Sequence, residues 1–193
     1  MAERRLVIAT GNAGKLGEYR SLLAGVGWKL MAVDPDVAEV GSTYAENATL
    51  KAEAARAALG LPAVGDDSGV EVEVLKGYPG VHSARIGPTQ KERTQVLLDR
   101  LASHPRPWLA RFTCTIALAA PGRPTSFFEG ECRGEIIPEW RGVAGFGYDP
   151  VFLVPEAGRT FGEMAPEEKA QYSHRARAVR AMLAAGALER LSV

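Results

Sequence analysis

The chain has 193 residues, 46% hydrophobic and 24% charged, with a formal net charge of zero. Those values describe an ordinary globular protein long enough to bury a full core, read as one domain over residues 1–193. They leave no global basic field to bind DNA or RNA and no apolar stretch near the ~18 residues of a membrane span. The N-terminus runs straight into a strand-like segment with no leader pattern, so a cytoplasmic location is expected.

In chain order, "RLVIA" (Arg5 to Ala9) is the apolar run of a strand buried on both faces. Leu16, Tyr19, Leu22 and Leu23 recur at helical spacing, and Gly25 and Gly27 close that helix. Thr43 and Glu46 form a T-x-x-E capping box, followed by a lean stripe of Ala48, Ala52, Ala55 and Leu59 and a stop at Gly60 and Pro62. "VGDDSGVEVEVL" alternates Val70, Val72 and Val74 with Glu71 and Glu73, predicting a strand with one wet face that begins just after the paired aspartates. Thr89 and Glu92 open a further helix whose Val96, Leu97 and Leu101 face inward. "RFTCTIALA" alternates again, and the turn "APGRPT" joins it to "SFFEGECRGEII" as a hairpin. "PEEKAQYS" is a short helical piece with Pro166 at its first position, and Ser173 caps a last helix through "RARAVRAMLAAGALERL". Cys114 and Cys132 lie in strand-like segments without metal-ligand spacing and read as buried thiols. Strands, helices and hairpins together predict an α/β domain with a mixed sheet.

Four segments are candidates for chemistry. "ATGNAGK" sits between a strand and a helix, where backbone N–H groups and the helix dipole favour an anion; Asn12 and Lys15 would add to that grip. A tight turn with Lys15 and Glu18 as a solvated pair is the alternative. In "GDDSG", adjacent carboxylates need something positive nearby, and magnesium is the natural partner. Neighbouring side chains of an extended segment point opposite ways, so one aspartate faces the site; a polar turn capped by Ser68 is the alternative. "GVAGFGYDP" would let Phe146 and Tyr148 offer an aromatic face, with Asp149 as acceptor, although a turn with a packed Phe fits too. In "EEKAQYSHRARA", Lys169, His174 and Arg175 place cations at a helix N-terminus, against its dipole, as a ligand would require; exposed basic residues are the competing account.

In this collinear order "ATGNAGKLGEY", "TYAENATLKAEAA", "GDDSGVEVEVL", "PGVHSAR", "GFGYDPVF" and "SHRARA" resemble the inosine triphosphate pyrophosphatase family over residues 7–180. The resemblance implies a two-lobed α/β fold around a long mixed central sheet flanked by helices, with the active site in the inter-lobe cleft. It implies a homodimer that uses Mg2+ to hydrolyse inosine, deoxyinosine or xanthosine triphosphate to the monophosphate and pyrophosphate. Matched residue by residue, Thr10, Gly11, Asn12, Ala13, Gly14 and Lys15 form the triphosphate loop, with Asn47 and Lys51 near the phosphates. Asp67 is the general base and a metal ligand, with Glu39 as a further metal position; Asp66 is its less defined neighbour, and Ser68 is a substrate contact. Phe146, Gly147, Tyr148 and Asp149 form the base-binding loop, with Phe146 stacking on the purine. Lys169, His174 and Arg175 supply the remaining nucleotide contacts, the basic pair reading the six-position oxygen. His82, Arg85 and Glu18 carry no assigned role. The alternatives are a related pyrophosphatase for other modified nucleotides and a nucleotide- or RNA-binding module without chemistry.

Overall fold

The computed structural model describes residues 3–192. Seven strands form one mixed sheet in the order β2-β1-β3-β4-β5-β6-β7. They are β1 (Arg5–Ala9), β2 (Lys29–Val33), β3 (Ala63–Val72), β4 (Trp108–Ala119), β5 (Ser126–Ile136), β6 (Phe152–Val154) and β7 (Arg159–Thr160). Five α-helices accompany them: α1 (Ala13–Leu22), α2 (Tyr44–Leu59), α3 (Gln90–Leu101), α4 (Pro166–Tyr172) and α5 (His174–Ala184). The chain divides into two compact units. Unit 1 comprises the described residues up to Asp67, Cys114–Gly130 and those from Arg175 onward; unit 2 comprises Ser68–Thr113 and Glu131–His174.

In unit 1, β1 pairs in parallel with β2 (Val7 opposite Met31) and with β3 (Val7 opposite Ala63). Parallel neighbours need crossovers, which α1 and α2 provide. Leu6, Ile8, Tyr19, Val64, Ile116 and Met182 are among its core residues. Small side chains bring α2 unusually close to β3. Ala48, Ala52 and Ala55 line the inner face of α2, and a Cβ on Gly65 would stand 2.4 Å from the Ala48 carbonyl oxygen and 2.6 Å from the Ala52 nitrogen. Both expected capping boxes are present: Thr43–Glu46 opens α2 and Thr89–Glu92 opens α3.

In unit 2, β5, β6 and β7 pair antiparallel in succession. Its core gathers Val70, Val72, Leu97, Leu101, Phe112, Ile136, Tyr148, Phe152 and Phe161. Phe152 lies against Phe112 and Phe161, with ring centroids 4.6 and 5.3 Å apart.

Four local readings change. The strand holding the aspartates begins at Ala63, so Asp66 and Asp67 lie inside β3, and it stops at Val72, with Glu73–Leu75 forming a 3-10 turn. The alternation of β4 lasts only to Thr113, since Cys114–Ala119 are buried on both faces. The last helix ends at Ala184 and is followed at Gly186 by a left-handed turn, φ 62°. The strand β2, whose "KLMAV" is half-exposed and lacks clean alternation, had no sequence signal. Cys114 and Cys132 are free, buried thiols as expected.

Candidate active site

The loop before α1 is built by its own side chains. The Asn12 side-chain oxygen accepts the Lys15 N–H at 3.1 Å as N-cap, and Thr10 Oγ1 accepts the Asn12 N–H at 3.1 Å. The cap occupies the oxygen of Asn12, so its amide nitrogen is the group that suits an anion. Asp34 closes over Gly11: an added Cβ would lie 2.1 Å from its carboxylate oxygen and would turn that side chain aside. Ala13 and Gly14 begin α1, so the loop ends in a helix N-terminus, the backbone arrangement that favours anions.

Lys15 leaves this loop for Asp66. Its Nζ lies 3.1 Å from Asp66 Oδ2, and the same oxygen accepts Arg175 Nε at 3.1 Å and Nη2 at 3.0 Å. Arg175 Nη1 also donates to Glu18. Arg175 is fully buried and Asp66 is 1% exposed. Burial alone would raise the Asp66 pKa, but Lys15, Arg175 and Lys51 outweigh it and hold the carboxyl well below its ordinary range. Arg175 is in turn pushed further above its usual value by Asp66 and Glu18 despite its burial. Asp66 Oδ1 finds no hydrogen-bond partner among the described residues.

Asp67 belongs to a second group. Asn47 Nδ2 donates to its Oδ2 at 3.0 Å, and Lys51 Nζ lies 3.7 Å from Oδ1 and 2.6 Å from Glu39 Oε1. Asn47, fully buried, also accepts the Gly41 N–H at 2.8 Å and so ties the 34–42 segment to α2. Burial raises the Asp67 pKa above its usual value in spite of Lys51, Lys15 and Asn47. The two aspartates thus sit in contrasting environments, one fixed as an anion and one biased toward accepting a proton. Opposed neighbours were expected, but Asp66 is not idle: it faces a cluster of its own.

Among the described residues no group of three or more His, Cys, Asp or Glu side chains is disposed around a metal. Asp67 and Glu39 nevertheless converge on one cation, the Lys51 ammonium. Two carboxylates with substrate oxygens and water suffice for magnesium. Lys15, Lys51 and Arg175 stand beside Asp66, Asp67, Glu18 and Glu39, three formal positive charges against four negative. That net negative balance disfavours an unaccompanied triphosphate, and Asp67 and Glu39 are oxygen donors of the kind a divalent cation takes.

In unit 2, Asp149 is 2% exposed, and its Oδ2 accepts the Phe146 N–H at 2.7 Å and Lys169 Nζ at 2.6 Å. Lys169 Nζ also lies 4.8 Å from the Phe146 ring centroid. Phe146 is half-buried, and Gly147 takes the left-handed φ of 64° that the turn demands. Tyr148 differs from its expectation. Its ring belongs to the core and its hydroxyl donates to the Ser83 carbonyl at 2.7 Å, so its side chain is structural. His174, 4% exposed, stacks on Phe112 at 4.7 Å and 9°. Ser68 is half-buried in β3. Arg175, expected to read the base with His174, has Nε, Nη1 and Nη2 directed at carboxylates of unit 1 instead. Glu18 and Asp66 were the residues the sequence undervalued; three positions after Lys15, Glu18 looks like any surface pair on a helix.

Comparison with known proteins places the chain in a family. The Ham1 family model matches residues 6–185. The dITP/XTP pyrophosphatase of Gloeobacter violaceus is 54% identical over 182 residues, covering 93% of each chain. A dITP/XTP pyrophosphatase of Thermus thermophilus is 49% identical over 191 residues, covering 94% of this chain and 91% of that protein. Among solved structures, a HAM1 protein from Coxiella burnetii superposes with a TM-score of 0.85 at 39% identity, covering 96% of this chain and 99% of that one. The Staphylococcus aureus Ham1 protein gives 0.84 at 36% identity, covering 96% and 100%. With a family match over nearly the whole length and relatives near half-identity, this chain belongs to the Ham1 family.

Proposed function

We propose that this protein is a nucleoside triphosphate pyrophosphatase that hydrolyses non-standard purine nucleotides, ITP, dITP and XTP, to the monophosphate and pyrophosphate. The observation that carries the chemistry is the pair of unlike aspartates beside Lys15 and Lys51. The relatives that carry the specificity are those named dITP/XTP pyrophosphatase. Both units serve this one activity, as a single catalytic domain over residues 1–193.

Thr10, the 11–14 backbone, Asn12, Lys15 and Lys51 take the triphosphate, with Ser68 as a further contact. Asp67 and Glu39 would hold Mg2+, which when bound draws charge from the departing pyrophosphate. Asp67 accepts the proton of a water that attacks the α-phosphorus in line: a new P–O bond forms, the α–β bridge breaks, and pyrophosphate leaves with its charge spread over Lys15 and Lys51. The raised pKa of Asp67 suits a base, and Asn47 fixes its orientation through Oδ2. Phe146 stacks on the purine, held by the bond from its N–H to Asp149 and by the Lys169 ammonium over its ring. His174 and Lys169 offer donors to a six-position carbonyl. An adenine amino group there would leave buried donors unpaired at about 1–3 kcal/mol each.

A panel of separate triphosphates, assayed for pyrophosphate and for single phosphate release, tests this. ITP and XTP should yield pyrophosphate only with magnesium. Equal turnover of a pyrimidine triphosphate, or release of single phosphates, would overturn it. The working form in this reading is a homodimer, which light scattering would test, acting in the cytoplasm without nucleic-acid or membrane partners.

A further inference from the structure

We propose that Asn47, seated on Gly41, is a positioning residue that holds Glu39 at a set distance from Asp67. This rests on the reading of those two carboxylates as the holders of a divalent cation. Glu39 lies outside every helix and strand, so its carboxylate needs some other anchor. Locally, the Val40 N–H donates to the Ala38 carbonyl at 3.0 Å, which makes Glu39 the middle residue of a three-residue turn. Two residues on, the Gly41 N–H donates to Asn47 Oδ1 at 2.8 Å, and Asn47 Nδ2 donates back to the Gly41 carbonyl at 3.4 Å. The other hydrogen of Nδ2 goes to Asp67 Oδ2 at 3.0 Å. One fully buried side chain therefore grips both the backbone that carries Glu39 and the carboxylate that Glu39 must face.

Lys51 closes the ring one turn further along α2. Its ammonium lies 2.6 Å from Glu39 Oε1 and 3.7 Å from Asp67 Oδ1, so each Asp67 oxygen faces a different side chain of the helix. The two links differ in kind. A divalent cation competes with the Lys51 ammonium for the same carboxylates, because both are positive, whereas the neutral Asn47 amide brings no rival charge. The asparagine is thus the tie that outlasts the exchange of cations. Gly41 makes the close approach possible. An added Cβ would stand 2.7 Å from Asn47 Oδ1, 3.1 Å from the Asn47 nitrogen and 2.6 Å from Glu46 Cβ, and the helix backbone fixes the last two. Gly41→Ala should therefore push the Glu39 segment off Asn47 and leave the bond from Asn47 to Asp67 in place.

Mn2+ is the probe, since it takes carboxylate oxygens as magnesium does, and its affinity is read on the full, nucleotide-free protein by electron paramagnetic resonance. Asn47→Leu, close in size but without the amide, should weaken Mn2+ binding roughly tenfold or more, as loss of an outer partner of a metal ligand does. Gly41→Ala should weaken it less, because Asp67 keeps its bond. The deciding comparison adds each change to Glu39→Gln. Gly41→Ala should then weaken binding no further, and Asn47→Leu should fall short of the product of the single losses by about threefold or more. Multiplicative losses, with wild-type binding intact, would show that Asn47 acts without Glu39 and would overturn the proposal alone. A purely structural role would give that same result, since it lowers Tm without coupling to Glu39. If Asn47→Leu does not fold, Gly41→Ala carries the comparison. Wild-type protein that binds no Mn2+ would reject the metal reading, and this inference with it.

Discussion

Gly65→Ala is the most direct probe of how packing makes the site. An added Cβ would stand 2.4 Å from the Ala48 carbonyl oxygen, 2.6 Å from the Ala52 nitrogen and 3.1 Å from Lys51 Cβ, whereas ordinary contact begins at 3.4 Å. The first two obstacles are main-chain atoms of α2, so no rotamer change relieves them, and the helix must withdraw by about 1 Å. The φ of Gly65 is not in the left-handed region, so sterics alone decide the outcome. Overpacking of this kind costs roughly 3 kcal/mol, the upper part of its usual range. For a chain of this size each kcal/mol lowers Tm by about 2–4 °C, giving a fall of roughly 6–12 °C. Function should fall more steeply. The same helix carries Asn47, 3.0 Å from Asp67, and Lys51, 2.6 Å from Glu39; 1 Å of withdrawal breaks the first bond and stretches the second. Misplacement on that scale costs on the order of 10²-fold in turnover. Thermal unfolding and pyrophosphate release from ITP measure both. A Tm within about 2 °C of wild type, or its restoration by adding Ala52→Gly, would refute the reasoning, because a smaller side chain at 52 leaves the main-chain clash in place.

Asp67→Asn should keep nucleotide binding but lose at least ~10²-fold in turnover, measured by equilibrium binding beside single-turnover kinetics; near-normal turnover would remove Asp67 from the chemistry. Asp149→Asn strips Lys169 of its carboxylate at a buried site and should cost about 3–5 kcal/mol in denaturant unfolding, with weaker ITP binding through the loosened Phe146 loop. Burial pushes the Cys114 thiol up to about 12, with Asp66 adding to it. An acid whose folded pKa lies above its unfolded value loses stability as pH rises from 9.0, its ordinary value, toward 12. Iodoacetamide at about pH 9 should therefore label Cys114 only after unfolding, as read by mass spectrometry. Chelation should abolish turnover and magnesium restore it; full activity in excess chelator would reject the metal reading.

What the sequence determined by itself was local. The T-x-x-E pairs at Thr43 and Thr89 mark helix starts because the cap is satisfied within three residues, whatever the rest of the chain does. "RLVIA" reads as a strand buried on both faces because an unbroken apolar run has few other places to go. The order of the motifs was equally legible, and with it the Ham1 relationship. Only the tertiary structure decided which partners the polar residues take. "GDDSG" reads in sequence as a segment just ahead of a strand, yet it lies within one, and Lys15, Arg175, Asn47 and Lys51 arrive from other elements to offset the burial of its carboxylates. Arg175 and Asp66 are separated by 109 residues and Arg175 and Glu18 by 157, so nothing in their neighbours announces the pairing. Tyr148 likewise lies in a glycine-rich loop, but its ring entered the core of unit 2, whereas Phe146 stayed half-buried. Capping and periodicity are short-range and survive in the sequence; charge pairing and burial depend on chain closure over 12 to 157 residues and do not.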